Sequence, residues 1–278
     1  MTSRPMGHEG EMRLASFNIL HARSQQDDRV DIDRFAAAIA SLDADVLALQ
    51  EVDRYQSRSS DADLTAVAAD AMGAPEHRFV AALSGVPGAT WMAADGNEQP
   101  DSAAYGIALL SRYPVHAWHT VRLAPVPLKF PMWFKGSRRP ELIRDEPRVA
   151  VAAAVETPHG MVTVADVHLT FVEWWNGRQL ALVRDSLATA NRPLVLMGDL
   201  NMGPARAARI TGMRPLVSQP TFPAHTPRMQ LDHVLLDGDL PTATGRAVEM
   251  PLSDHRALVV DVSDRRRPNP SHSSQEAW

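Results

Sequence analysis

The chain has 278 residues, within reach of one large α/β or two-sheet domain, and its 45% hydrophobic and 22% charged residues suit a globular core. A net charge of −5 argues against a protein that coats nucleic acid indiscriminately through counterion release. With no cysteine there is no disulfide framework, thiolate zinc site, cysteine-held iron–sulfur cluster or cysteine nucleophile, so any metal is held by oxygen or imidazole.

Residues 1–11 contain Arg4 and His8 but no apolar segment, so they read as a disordered tail and not as a secretory leader. Arg13 to Ile19 is a strand. Asp31 or Asp33 caps a helix with Ile32, Phe35, Ala36 and Ile39 on one face, which ends at Asp43 to Asp45. The buried strand Val46 to Gln50 follows. A second helix opens at Asp61 or Asp63 and closes at Gly73-Ala74-Pro75. Then strands predominate: Ala104 to Leu110, Val149 to Glu156 and Met161 to Leu169, the last two joined by a hairpin turn at Thr157 to Gly160. Asn176 caps a helix through Ala190, which leads into the strand Leu194 to Met197. Leu231 to Leu236 and Arg256 to Val262 are the final strands. Residues 264–278, with three consecutive arginines, two prolines and a serine pair, read as a disordered tail. Residues 12–263 are therefore expected to form one α/β domain with helices outside packed sheets. No stretch reaches the roughly 18 apolar residues of a membrane helix. The expected location is cytoplasmic.

Four places put polar groups at the end of an apolar strand, where side chains emerge from a core into a cleft. They are Phe17-Asn18-Ile19, Leu49-Gln50-Glu51-Val52, Gly198-Asp199-Leu200-Asn201 and Ser253-Asp254-His255. The dipeptide Asp232-His233 lies upstream of the last. Asp199 and Asn201 stand two apart and share a face on an extended chain. His168 is delivered by the strand before it, whereas His8, His21, His77, His116, His119, His159 and His225 read as bystanders. Oxygen donors with imidazole suit Mg²⁺ or Mn²⁺.

In order and context these blocks resemble the endonuclease/exonuclease/phosphatase superfamily, the group that includes DNase I and exonuclease III. They appear as F-N-I, L-Q-E-V, H-L, G-D-L-N, L-D-H-V and S-D-H, between about Arg13 and Val262. The resemblance implies a four-layer α/β sandwich, two packed β-sheets flanked by helices, that hydrolyses phosphoesters. It implies that Glu51, Asn18 and Asp254 bind the divalent cation. His255, oriented by Asp232, then activates water or stabilises the charged phosphorus centre, with Asp199 as the alternative water-orienting carboxylate. Asn201 and His168 contact the phosphate, and no carboxylate partner for His168 aligns. The first strand lacks the tryptophan-asparagine-glycine pattern typical of exonuclease III-like repair enzymes. Between Val121 and Arg148, Lys129, Phe130, Trp133, Phe134, Lys135, Arg138 and Arg139 interleave aromatic and basic residues. That loop suits stacked bases on a neutralised backbone, which ranks a nuclease ahead of a small-phosphoester or lipid phosphoesterase, although a headgroup grip or a plain covering loop fits the same residues. Arg138, Arg139, Trp175 and Asn176 are the expected substrate contacts; Trp174 to Asn176 could equally be a hydrophobic staple before the helix. A non-enzymatic alternative, a catalytically idle binding member, sits badly with the completeness of the set. No obligate protein partner is expected.

Overall fold

A computed structural model describes residues 10–132 and 139–263. The chain begins β1 (Glu11–Asn18), α1 (Ile32–Leu42), β2 (Val46–Arg54), α2 (Leu64–Met72), β3 (Glu76–Gly85), β4 (Trp91–Ala93) and β5 (Ala104–Ser111). It continues through β6 (Val115–Leu123), β7 (Phe130–Met132), β8 (Glu141–Ile143), β9 (Arg148–Thr157), β10 (Gly160–His168) and α3 (Glu173–Ser186). The last third holds β11 (Leu194–Asp199), α4 (Pro204–Thr211), β12 (Arg214–Pro215), β13 (Asp232–Asp237), β14 (Thr242–Val248) and β15 (Ala257–Ser263).

Strand order is β14-β15-β1-β2-β5-β3-β4 in a seven-stranded sheet and β12-β13-β11-β10-β9-β6 in a six-stranded one, with β7-β8 a separate ribbon. The alternation of each strand explains the layering, because successive side chains point to opposite faces. In β1, Met12 and Leu14 join Val46, Leu109 and Val260 between the sheets, where they meet Val151, Val164, Val195 and Val234 of the second sheet. The alternate residues Ala15 and Phe17, with Leu47 and Leu49, face outward onto Phe35, Ile39 and Leu64 of α1 and α2. On the other outer face Val167 and Leu196 pack against Leu180, Val183 and Ala207 of α3 and α4. The result is the helix–sheet–sheet–helix sandwich expected from the sequence.

Helix ends follow local chemistry. Asp31 caps α1 by accepting from Arg34 N at 2.9 Å. Asp63 caps α2 through Thr65 N and Ala66 N at 2.9 and 3.1 Å, and Gly73, at φ +66°, closes it. One start differs from expectation: α3 begins at Glu173 after Val172, so Asn176 lies inside the helix and does not cap it. The expected tails at 1–11 and 264–278 fall outside the described residues, apart from Gly10 and Glu11, and β1 opens at Glu11. No helix among the described residues is long and apolar enough to cross a membrane.

The strand register gathers the polar ends. β1 runs parallel to β2, β10 runs parallel to β11 with His168 opposite Asp199, and antiparallel β13 sets Asp232 opposite Asp199. Along this axis the rows between the sheets turn from apolar to polar: Leu14, Ser16 and Asn18 on β1, and Val164, Asp166 and His168 on β10.

Candidate active site

Glu51 reaches the site because β2 breaks its own alternation. The pairing with β5 shifts between Gln50 and Val52, and Glu51, the extra residue, sits at φ +58°. A regular strand would send Glu51 to the helix side with Leu49. The left-handed bulge instead brings its Oε1 within 3.1 Å of Asn18 Nδ2, which also donates to Asp199 Oδ2 at 3.1 Å. Asn201 at φ +49° and Ser253 at φ +71° are likewise left-handed, so three turns of one cleft hold costly backbone conformations, as functional sites often do. Ser253 ties the third turn down: its Oγ donates to the Asn18 carbonyl at 2.6 Å and accepts from His255 N at 3.1 Å.

Asp199 occupies the centre. Its Oδ1 accepts from Asn201 N at 2.9 Å, and its Oδ2 faces His168 Nε2 at 3.7 Å and His255 Nε2 at 3.9 Å. Behind His255, Nδ1 meets Asp232 Oδ2 at 2.9 Å, and the Phe222 ring packs against the imidazole with centroids 5.0 Å apart. Behind His168, Nδ1 meets a guanidinium nitrogen of Arg148 at 3.4 Å. A guanidinium only donates, so His168 Nδ1 is the acceptor and its proton is assigned to Nε2, facing Asp199.

The charge states follow from these neighbours. Burial opposes a charged His255, but the Asp232, Asp199 and Asp254 carboxylates outweigh it and raise its pKa to about 10. Burial, then Arg148 and His255, hold His168 well below its ordinary value. Burial and the neighbouring Asp232 raise Asp199 to about 7, against the pull of His255 and the donors Asn201 N and Asn18. Burial also raises Glu51, with Asp254 adding to it and Asn18 and Arg148 opposing.

The residues fit a divalent cation. Glu51 and Asp254 are neighbouring carboxylates that repel each other in a desolvated place, which a hard cation between oxygen donors would relieve. A second grouping, Asp199, Asp232 and His255, has ligand atoms within 4.8 Å of one another. There the His255–Asp232 pair already neutralises itself, although Asp232 Oδ1 is buried without a partner. The Glu51 side is therefore the better cation site.

Asn18, Glu51, His168, Asp199, Asp232 and His255 thus converge, with Asp254 close enough to act electrostatically on Glu51 and His255. Other expected contacts lie differently. Asn176 is fully buried and donates Nδ2 to the Asn201 carbonyl at 2.8 Å, so it braces the Asp199 turn and does not face substrate. Asn201 gives its own Nδ2 to the Leu169 carbonyl at 2.9 Å. Trp175 turns its Nε1 onto the Ala124 carbonyl at 2.8 Å, leaving Trp174 as the exposed ring. Arg139 is exposed beside β8, whereas Arg138 lies outside the described residues, as do Trp133, Phe134 and Lys135.

Sequence reasoning missed Arg148, which is buried among Glu51, Tyr105 and Glu146, has an unpartnered Nε, and takes the place behind His168 where a carboxylate was sought. It also missed Asp166, which accepts from Gln50 Nε2 at 2.6 Å across the sheets and whose carboxyl burial pushes well above the ordinary carboxylate range, against the Gln50 hydrogen bond. The apolar alternation Val162, Val164, Asp166, His168 was the available signal for that layer.

Four carboxylates (Glu51, Asp199, Asp232 and Asp254) and two imidazoles at the polar end of a two-sheet sandwich define the class, a hydrolase-like site on a DNase I-like fold. The sequence matches the Endonuclease/Exonuclease/phosphatase family over residues 15–255, and the chain belongs to that family. Its members are generally hydrolases acting on phosphoesters, typically with a divalent metal. Among solved structures it is similar to an endonuclease/exonuclease/phosphatase from Beutenbergia cavernae, at 21% identity and TM-score 0.63 over 91% of this chain and 72% of that one. Sphingomyelinase C from Streptomyces griseocarneus is similar at 16% identity and TM-score 0.58, covering 91% and 99% of the two chains. Truncated Caenorhabditis elegans TDP2 follows at 17% identity and TM-score 0.55, covering 91% and 97%. No curated protein matches the sequence at a significant level.

Proposed function

We propose that the protein is a divalent-metal-dependent phosphodiesterase. The observation that carries this reading is Asp199, held between His168 and His255 at 3.7 and 3.9 Å and joined to Glu51 through the shared Asn18 amide. Glu51 and Asp254 would hold Mg²⁺ or Mn²⁺, and Asn18, expected from the sequence as a third ligand, would orient Glu51 through its Nδ2. When bound, the cation supplies Lewis-acid polarisation of the phosphate and stabilises charge on the departing oxygen.

The chain's own groups divide the remaining work. Asp199, with its pKa near 7, takes a proton from the attacking water at a physiological pH. His255 enters as an imidazolium held by Asp232, and its Nε2–H faces the side on which phosphate charge builds. His168 stays neutral and offers its Nε2–H from the opposite side, while Arg148 behind it supplies fixed positive charge. Both donors are rigid before substrate arrives, because each ring is pinned through its other nitrogen.

Hydrolysis of bis-p-nitrophenyl phosphate tests the proposal. Activity is expected with added Mg²⁺ or Mn²⁺ and lost with chelator; undiminished turnover by metal-free protein in excess EDTA would contradict it.

A further inference from the structure

The large apolar side chains that the described residues leave exposed gather at one end of the molecule. On the second-sheet side, Leu128 just before β7 is 70% exposed, Leu142 in β8 is 67% exposed, and Phe171 (44%) and Trp174 (54%) follow β10. On the first-sheet side, Tyr55 follows β2, and Val86 and Met92 belong to the β3–β4 hairpin. Met229 precedes β13 in a loop that pairs with Phe222, the residue packed on His255. All of these segments lie at the strand ends that carry Asn18, Glu51, His168, Asp199 and Asp232. Leu182, on α3, is the exception.

These side chains stand on a fixed frame. Phe171 meets Phe130 of the ribbon edge-on, with ring centroids 6.0 Å apart. The Ala124 carbonyl accepts from Trp175 Nε1 and Gln179 Nε2 at 2.8 and 2.9 Å. Buried Asp145 accepts from Val126 N at 2.9 Å and Thr170 Oγ1 at 2.8 Å. The loops are tied down at their bases, yet their apolar tips remain in water, which marks an interaction surface.

Two features select the partner. First, Leu128, Leu142, Val86, Met92 and Met229 have no π face on which a base could stack, and they gain only by entering hydrocarbon. Second, the ribbon and the start of α3 expose Lys129, Arg139, Arg144 and Arg178 against two exposed acids, Glu141 and Glu173, in a chain whose net charge is −5. Arg178 lies over the rings of Trp174 and Trp175 at 5.9 and 5.2 Å, so a cation and an interfacial aromatic are presented together.

We infer that the cleft end of the sandwich docks on an anionic phospholipid bilayer and receives its phosphodiester from the headgroup plane; only the second half of this rests on the phosphodiesterase reading. The apolar tips enter the acyl boundary, and Lys129, Arg139, Arg144 and Arg178 meet headgroup phosphates.

The test is flotation of the full chain, in chelator, with phosphatidylcholine vesicles with and without phosphatidylglycerol. The wild type should float with the anionic vesicles and more weakly with the neutral ones. The double variant Leu128→Glu/Leu142→Glu should lose at least about tenfold in partitioning with an unchanged melting temperature, since both side chains are exposed. Met92→Glu, on the opposite wall, gives an independent loss. A wild type that stays unbound, or a double variant that floats like wild type, overturns the docking. So does a duplex oligonucleotide that is retained by wild type and released by the double variant while vesicles are ignored, which assigns the face to nucleic acid. With Mn²⁺ present, turnover of bis-p-nitrophenyl phosphate without headgroup release from docked vesicles overturns the headgroup half alone. Flotation without cleavage of either substrate overturns the phosphodiesterase reading and leaves the docking standing.

Discussion

The two imidazoles that flank Asp199 are the same residue type, are similarly buried and lie at nearly equal distances from one carboxylate, yet their surroundings push their pKa values in opposite directions. On the His255 side, Asp232 occupies the outer ring nitrogen and raises the pKa to about 10. On the His168 side, Arg148 occupies it and, with burial, keeps the ring neutral. The inner geometry alone therefore does not assign chemistry to a histidine. The group behind it does.

The largest effect should come from removing the charged side. His255→Ala is expected to lower kcat by roughly 10²–10⁴-fold, the usual range for a positioned acid or base, and steady-state kinetics on a small diester would show it. If His168→Ala costs far more than His255→Ala, the two sides have been assigned the wrong way round.

Next comes a stability effect in metal-free buffer. Because the folded pKa of His255 lies near 10 and its ordinary value is 6.5, the contribution is fully present below pH 6.5 and is lost as pH rises through 10. Chemical denaturation across that window should show wild-type stability falling, and His255→Ala should flatten the fall. A wild type whose stability is level over this range would remove the ion pair from the account.

A smaller change tests the neutral side. Arg148→Met takes away a cation next to His168, so the imidazole pKa, followed by its proton resonances, should rise toward 6.5 without reaching the His255 value, because burial remains. An unchanged resonance profile would show that Arg148 does not control the ring. Smallest of all is the exposed pair of His225 Nδ1 with Glu249 at 2.6 Å, a surface ion pair of the kind that contributes little. His225→Ala should shift the melting temperature by no more than about 2 °C.

The sandwich was legible because its central strands announce themselves as short apolar runs, and because Asn18, His168, Asp199 and Asp232 each end or begin one, with Glu51 in the bulge of β2 and His255 just before β15. The edges were not. β6 reads Val-His-Ala-Trp-His-Thr-Val-Arg-Leu, which buries little besides Leu123, and β14 carries a glycine among threonines, so neither shows the hydrophobic pattern of a core strand. Asn176 looked like a cap because amides often are. Its actual partner, the carbonyl of Asn201, lies 25 residues away and no local pattern reveals it. Arg148 escaped for the same reason: it follows Pro147 at a strand start and resembles a surface arginine until β9 and β10 pair His168 with Val149 beside it. Long-range register, not local propensity, decided both.

The central claim is a division of labour between the Glu51 cation side and the His255 phosphate side, and calorimetric titration of Mn²⁺ into Glu51→Gln and His255→Ala measures it most directly. The account predicts that Glu51→Gln loses at least about tenfold in metal affinity while His255→Ala binds metal nearly as wild type, even though its turnover has collapsed. Equal loss of metal binding in the two variants, or full binding by Glu51→Gln, would contradict it.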